Sequence, residues 1–432
     1  MFVASRYELW LCDDRGRRIA LLNKTDEGAA FFSYSRVVSG FGTIQVGLPY
    51  RQFKERVNPV FAPDRRIEVW RSPADDFPLR MEGIYLLREP KIYTRETDSM
   101  DIIEFFGRSP IDLLARRWII QAAGTSYTAK TDEIDDMMKA IVREQMLFGS
   151  AVDKDGAQTN DRAYPEIEFS VQEDLALGTS ISRRFADRNV LDVLKELKDT
   201  SFQLFEDDPL NNRRIYFDIV PRDLRGFEIY ILDEETGEPI LDEDSLPLLD
   251  ETSGSGKNAI GFQFQTFADL RGIDRRNKLL FSVPNSNLKG PFYSKSHFEE
   301  KNSIIVKGSG RGESRETVVV DDDPRIHASR WNRCEAIFEA NYEVDDTELD
   351  SVGAAQLKEG QPVEELFATF LNIPGSEDVP QSLYGIDWDL GDLVNVWYAE
   401  QLFDCEIVVV YVGVNENGVE TITGRNTIGE SE

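Results

Sequence analysis

The side chains best suited to covalent or metal chemistry are scarce in this sequence. There are three thiols, Cys12, Cys334 and Cys405, and two imidazoles, His297 and His327. Zinc sites need ligands a few residues apart, and no pair here has that spacing. The thiols are too few and too scattered for a disulfide framework. A zinc hydrolase, a thiol protease or a histidine-based acid–base enzyme would have to build its site from almost nothing. No catalytic, cofactor-binding or metal-ligating residue is assigned, and no cofactor is expected.

Glycine-rich and acidic motifs point the same way. Gly254-Ser255-Gly256-Lys257-Asn258 looks like a phosphate loop, but it lacks the earlier glycine, and Asn258 stands where a magnesium-binding Ser or Thr belongs. Gly308-Ser309-Gly310-Arg311-Gly312 follows a strand, yet Glu313-Ser314-Arg315 does not open an apolar helix. Asp153-Lys154-Asp155-Gly156 has the flavour of a calcium loop. Its first and twelfth ligand positions would be Ala151 and Arg162, so the ligand set fails. All three read as loops. Glycoside hydrolysis needs a carboxyl pair, and 79 acidic residues single none out. Asp321-Asp322-Asp323 and Asp345-Asp346 read as solvated loops.

The 432 residues carry 49 basic and 79 acidic side chains, a net charge of −30. A surface that grips phosphates or an anionic membrane needs clustered Lys and Arg, so both partners are disfavoured. A polyanion that must be held off is compatible. Hydrophobic residues at 41% and charged residues at 30% suit a folded chain long enough to bury a core without staples. Residues 1–18 hold no apolar signal core. The longest apolar run, residues 407–414, is too short to span a bilayer. Synthesis in a cytoplasm without membrane insertion is expected.

The elements that would position any site are mostly strands. Alternation predicts strands at residues 7–12 and 18–22 about the turn Asp13-Asp14-Arg15-Gly16. Others fall at 31–49, broken by Gly40-Phe41-Gly42, and at 66–71, 83–93 and 101–106. Ser109 as cap, Pro110 and Asp112 predict a helix start. A helix over 132–147 places Ile134, Met137, Met138, Ile141, Val142 and Met146 on one stripe, and another covers 189–198. Strands are expected again at 201–205, 213–220, 260–267, 278–283, 303–307, 317–320 and 333–343. A helix at 346–358 precedes strands at 364–371, 393–398, 406–414 and 419–423. The fold class is β-rich α+β: two similar small antiparallel β-barrels with helical and loop-rich insertions between them. The expected domains are a first barrel at 1–108, a helical connector at 109–200, and a second β region at 201–332 with an acidic insertion at about 233–257. Residues 333–432 form the C-terminal part of the second barrel, completed by strands around 201–222.

An internal echo supports the duplication. Arg66-Ile67-Glu68-Val69-Trp70, Glu82-Gly83-Ile84-Tyr85-Leu86-Leu87 and Ile102-Ile103-Glu104-Phe105-Phe106-Gly107-Arg108-Ser109 occur in that order. Leu393-Val394-Asn395-Val396-Trp397, Val408-Val409-Val410-Tyr411-Val412 and Val419-Glu420-Thr421-Ile422-Thr423-Gly424-Arg425-Asn426 repeat the plan. A strand ending in Trp leads to an apolar strand with Tyr, then to a strand closing on Gly-Arg. Two copies of one barrel would leave this trace. Trp70 and Trp397 should then occupy matching places, and Trp→Ala at either, if buried, should cost roughly 3–5 kcal/mol.

These segments lie among others that together resemble the tail-hub, or baseplate-hub, proteins of long-tailed bacteriophages, siphophages above all. The carriers are Tyr7-Glu8-Leu9-Trp10-Leu11, Gly42-Thr43-Ile44-Gln45-Val46-Gly47-Leu48-Pro49, Ile67-Glu68-Val69-Trp70 with Glu82-Gly83-Ile84-Tyr85, and Gly107-Arg108-Ser109-Pro110-Ile111-Asp112-Leu113-Leu114-Ala115-Arg116-Arg117. Asn189-Val190-Leu191-Asp192-Val193-Leu194, Arg333-Cys334-Glu335-Ala336-Ile337-Phe338 and Asp389-Leu390-Gly391-Asp392-Leu393-Val394 follow. Each is weakly specific alone. Their order across nearly the whole chain carries the likeness.

The resemblance implies a structural protein at the virion tail tip, not an enzyme. It implies a homotrimer whose paired barrels make six modules that match a sixfold tail tube. The implied partners are the tail tube or distal tail protein, the tape-measure protein, and a tail fibre or spike. DNA would pass through a central channel without specific binding. The chain ends at Glu432 soon after the second barrel, so no appended wall-degrading domain is expected. Competing readings are another tail-tip component, such as a distal tail or carbohydrate-binding adsorption protein, and a carboxylate-based glycosidase.

Overall fold

The computed structural model describes residues 6–22, 31–51, 62–73, 77–96, 99–120, 128–165, 168–185, 188–223, 260–308, 315–339, 346–376 and 380–428. They fall into two compact units: Met1–Lys289 with Thr369–Arg425, and Gly290–Ala368 with Asn426–Glu432. The acidic stretch 233–257, the motif at 254–258, residues 309–312 and Asp345 lie outside the described residues. No helix among the described residues is long and apolar enough to cross a membrane.

The opening strands form where alternation places them: β1 (Arg6–Cys12), β2 (Arg18–Leu21), β3 (Phe31–Val37), β4 (Thr43–Pro49), β5 (Arg66–Ser72), β6 (Arg80–Thr94) and β7 (Asp101–Arg108). Leu9, Leu11, Ile67 and Val69 are buried, whereas Trp10 and Trp70 at alternate positions are half-buried. Asp13 fixes the β1–β2 turn by accepting the Arg15 and Arg17 amides. The β3–β4 turn requires glycine at Gly42, where a Cβ would lie 2.4 Å from the Ser35 carbonyl oxygen.

Ser109 does not cap a helix. Its amide donates to the Gly42 carbonyl, and its hydroxyl accepts from the Gly42 amide. This clasp uses the oxygen a cap would need, and helix α1 (Asp112–Ala115) lasts about one turn. Next come β8 (Thr128–Glu133), α2 (Ile134–Met146), β9 (Phe169–Val171), β10 (Ser180–Phe185), α3 (Val190–Asp207), β11 (Ile215–Asp223) and β12 (Ile260–Ala268). The buried stripe of α2, with Met137, Met138 and Val142, shares one core with Leu194, Phe217 and Phe264. The methionine pair is therefore core filling. Asn189 caps α3 by accepting the Leu191 amide at 3.0 Å.

The strand expected at 201–205 is instead the continuation of α3. Ser201 is fully buried; its hydroxyl donates to the Lys198 carbonyl and accepts from the Ile215 amide. Helical phase places this residue against β11, and packing overrides the β-propensity of the Phe and Leu nearby. β11 pairs antiparallel with β12, and β12 pairs parallel with β9. Strands around 201–222 thus belong to a separate three-stranded sheet and do not complete the second copy.

The rest of the chain supplies β13 (Leu280–Ser282), β14 (Leu288–Ser296), β15 (Ser303–Lys307), β16 (Thr317–Asp321), α4 (Asp323–Ile326), β17 (Glu335–Glu339), α5 (Asp346–Glu359), β18 (Val363–Leu371), β19 (Leu393–Tyr398), β20 (Gln401–Val414) and β21 (Glu420–Ile428). In the smaller unit, β15 lies between β16 and β17, and Leu349 and Leu357 of α5 bury against Ile304 and Val306.

The main sheet has thirteen strands, hydrogen-bonded in the order β14-β18-β21-β20-β3-β4-β7-β6-β5-β1-β2, with β19 beside β20 and β13 beside β19. Two runs within it share one plan. The first is β1-β5-β6-β7-β4-β3; the second is β13-β19-β20-β21-β18-β14. In each, the first strand flanks a meander of the last three, and the two remaining strands return on the far side. The duplication expected from the echo is therefore present as strand order. Among the described residues the pairing path is open, and the two runs join through β3 of the first and β20 of the second.

Candidate functional site

The chemistry-bearing groups of the sequence are engaged locally. Cys12 and Cys405 are buried and Cys334 is half-buried. Burial pushes the Cys12 thiol up, away from the reactive thiolate. His297 Nδ1 lies 2.7 Å from Glu300 Oε2, and His327 Nδ1 lies 2.7 Å from the Asp323 carbonyl oxygen, so each ring serves its own turn. Asp153 accepts the Asp155 and Ala157 amides, which makes a turn and not a calcium loop. Asp322 caps α4 by accepting the Arg325 amide, and Asp321 pairs with Arg333. Asp132, Glu133 and Asp136 bring carboxylate oxygens within 4.8 Å of one another. Asp136 is already used by the Leu175 and Ala176 amides.

What the larger unit does build is a joint between the two β copies. β20 is long enough to serve two partners. Its first half pairs with β19, from Tyr398↔Gln401 to Leu393↔Glu406. Its second half pairs antiparallel with β3, from Val409↔Val37 to Val414↔Phe32. Val410 and Val412 on one strand and Phe32 and Tyr34 on the other are buried. Each such side chain contributes about 1.5–3 kcal/mol relative to exposure.

A buried ionic network lies behind this seam. Glu82 from β6 accepts from the Tyr384 hydroxyl at 2.5 Å and from Arg80 Nε at 2.9 Å, with Arg36 Nη1 3.6 Å away. Arg36 from β3 also holds Asp389 at 2.7 Å. Arg71 from β5 donates to Glu420 of β21 at 2.9 Å, to the Tyr7 hydroxyl at 3.0 Å and to the Tyr384 carbonyl at 3.1 Å. Tyr7 donates to Glu420 as well. The side chains of Arg71 and Glu82 are fully buried. Arg36, Arg71 and Glu82 of the first copy each reach a residue between 384 and 420 of the second. Burial at this depth is tolerated only because each charge has opposite charges and hydrogen-bond partners.

The electrostatics follow. Burial, then Glu420, pushes the Tyr7 phenol far up; burial, then Glu82, does the same to Tyr34. Tyr384 is raised by burial and Glu82 against the pull of Arg36. Burial works against the Arg36 charge, yet Tyr384, Asp389 and Glu82 hold its pKa well above the ordinary value. Burial alone would raise Asp389, but Arg36 and Arg80 hold it below the usual carboxylate range. These groups stay in one protonation state across neutral pH, which suits a rigid clamp. The cavity of about 130 Å³ beside Arg36, Glu82 and Asp218 is smaller than ordinary substrate pockets.

The copies match residue by residue. The Leu87 amide donates to the Arg65 carbonyl at 2.7 Å, and Leu87 accepts the Asp64 amide at 3.0 Å. The Ile407 amide donates to the Asp392 carbonyl at 3.0 Å, and Ile407 accepts the Gly391 amide at 2.7 Å. Asp64 (φ 62°) and Gly391 (φ 83°) are both left-handed. Six residues further on, Trp70 faces Met81 and Trp397 faces Leu402. Gly107 lies opposite Ile44, and Gly424 opposite Phe370.

Two details of the sequence echo change. Leu87 answers to Ile407, so Tyr85 answers to Cys405 and not to Tyr411. Trp70 is half-buried and Trp397 is 44% exposed, so the cost expected of a buried Trp does not apply. The ionic network was missed altogether. Its only sequence signal is charge within otherwise apolar strands, at Arg71 and Glu82, and that signal does not name partners 300 residues away.

No family model and no curated protein matches this sequence. Solved structures do match the fold. The 43 kDa tail protein of prophage MuSo2 from Shewanella oneidensis aligns over 97% of this chain and 97% of its own, with a TM-score of 0.52 and 11% identity. A tail protein from Neisseria meningitidis aligns over 98% and 96%, with a TM-score of 0.48 and 10% identity. A prophage tail protein from Listeria monocytogenes aligns over 98% and 95%, with a TM-score of 0.42 and 10% identity. The first of these establishes a shared fold along the whole chain, of the kind the sequence resemblance implied.

Proposed function

We propose that this chain is the tail-hub protein of a long-tailed bacteriophage, a structural component of the virion tail tip and not an enzyme. The observation that carries the reading is the repeated strand order, β1-β5-β6-β7-β4-β3 and β13-β19-β20-β21-β18-β14, within one polypeptide. A homotrimer of such a chain presents six similar β modules, so a threefold object can dock on a sixfold tail tube. The shared fold with a prophage tail protein supports the same reading.

In this role the sixfold-like side meets the tail tube or distal tail protein. The threefold side carries a fibre or spike, and the tape-measure protein and DNA pass through the centre. The net charge of −30 favours passage without sticking, because like charges repel and no counterion release rewards contact. Mass photometry and negative-stain electron microscopy of the purified protein test the proposal. The expected result is a three-copy ring with sixfold-like outline. A stable single chain at micromolar concentration, or a six-copy ring, would sink it.

A further inference from the structure

The joint between the two copies is complete once and unfinished once. In the second copy, β20 carries β19 along its first half and β3 along its second half, on the same edge. The counterpart of β20 is β6. Its first half carries β5, from Arg71↔Arg80 to Arg66↔Leu86. Beyond Leu87, no strand among the described residues lies on that edge. This second half, residues 88–94, is exposed along almost its whole length, and Ile92 is 53% exposed. The strand that docks at the corresponding place in the second copy is β3, whose counterpart is β14. β3 has β4 on one side and β20 on the other; β14 has β18 on one side and, among the described residues, no strand on its outer edge.

We infer that the outer edge of β14 from a second copy of this chain adds onto residues 88–94 of β6, repeating between chains the β3·β20 joint made within one. Both halves of the joint are present in every chain, and they are different surfaces. The contact is therefore heterologous, adding copies head to tail until the ring closes. Main-chain hydrogen bonds along paired edges supply the attraction. Pro90 and Pro291 sit in the two edge segments, and proline there limits indiscriminate pairing with other strands.

The internal joint also sets the register. Leu87 answers to Ile407, so Lys91 answers to Tyr411. Both strands slip at the same place: β6 shifts register between Leu87 and Glu89, and the buried positions of β20 change phase between Ile407 and Val410. Leu371 answers to Gln45; its amide donates to Asn287, whereas Gln45 faces Ser33. Lys289 therefore answers to Ser35. Tyr411 faces Ser35 in the internal joint, so Lys91 of one chain faces Lys289 of the next. Glu104, opposite Lys91 on its other side, offsets the like charge.

The inference rests on the proposed ring for the number of copies, but not for the edge. The test is K91C combined with K289C in the full chain, oxidised and run on a non-reducing gel beside mass photometry of the unmodified protein. Both lysines are exposed, and directly opposed cross-strand residues have a Cα spacing that a disulfide spans. Covalent species stopping at three chains, absent from either single variant, are expected. A three-copy mass without cross-links in K91C/K289C, or in I92C/K289C as a check one residue along, overturns the edge and leaves the ring reading intact. A ladder running past three keeps the edge and overturns the three-copy ring. A single-chain mass with no cross-link overturns both.

Discussion

The two β copies share a strand order but differ at both ends of it. β1 runs antiparallel to β5, whereas β13 runs parallel to β19. In the first copy a short turn joins β3 to β4; in the second, the whole β15–β17 sheet and α5 stand between β14 and β18. What both keep is the three-strand meander, the left-handed residue before it and the glycine in its last strand. The meander is fixed because each strand packs on two neighbours, and a one-residue slip would turn every buried side chain outward. The flanking strand and the connection touch fewer neighbours, so they can vary and carry attachments.

The equivalence can be broken hardest at the clamp that joins the copies. Arg71→Ala leaves the half-buried Glu420 without its cation, and Glu82→Ala removes the fully buried carboxylate that Arg36 and Arg80 share, leaving them only Asp389. Each should lose about 3–5 kcal/mol in urea unfolding. A loss below about 1 kcal/mol would show that strand pairing alone holds the joint.

Alkaline pH tests the same clamp without mutation. The phenols of Tyr7, Tyr34 and Tyr384 are raised in the folded protein, while in the unfolded chain they titrate near 10. Their contribution is thus fully present below about pH 10 and lost as pH rises beyond it, by about 1.4 kcal/mol per pH unit for each phenol. Urea midpoints measured from pH 8 to pH 11.5 should fall late and steeply, and Tyr384→Phe should make the fall shallower.

Matched glycines sharpen the comparison. A Cβ on Gly107 would lie 2.8 Å from the Leu86 carbonyl oxygen and 3.1 Å from Ile44; one on Gly424 would lie 2.8 Å from the Phe370 ring. Alanine at either should cost about 1–3 kcal/mol. Gly107→Ala should cost more, because backbone yields less readily than a ring. A neutral effect at one site alone would argue that the two meanders are not equivalent there. The smallest effects belong to the tryptophans. Trp70 packs against the core of the larger unit, and its replacement by Ala should cost about 1–2 kcal/mol. Trp397→Ala should cost under about 1 kcal/mol. Thermal unfolding of the pair should resolve the difference, and equal losses at both would contradict their unequal burial.

Much of the fold was legible. β15 and β19 fall on the predicted residues, and α2 and α5 lie within two residues of theirs, because alternation and helical spacing are local properties. Errors arose where a non-local partner decided. Ser109 reads as a cap until Gly42 takes its hydroxyl, and residues 201–205 read as a strand until Ser201 meets Ile215. The candidate site was less legible. Trp70 with Trp397 and Gly107 with Gly424 are legible as pairs, but the tyrosines of the middle strands are not equivalent, since Tyr85 answers to Cys405.

By itself the sequence determined most strands of the two meanders, the buried stripe of the helix at 134–146, that one β plan occurs twice, and that thiol and imidazole chemistry has little to work with. Those properties follow from composition and from side-chain spacing of two or 3.6 residues, which each segment carries alone. Tertiary structure decided that β3 pairs with β20, that Arg71 and Glu82 are clamps and not surface charges, and that residues 88–94 present an unfilled edge. A backbone hydrogen bond specifies no side chain, and a buried ion pair has the same letters as an exposed one. Only the folded chain tells which partner each has found.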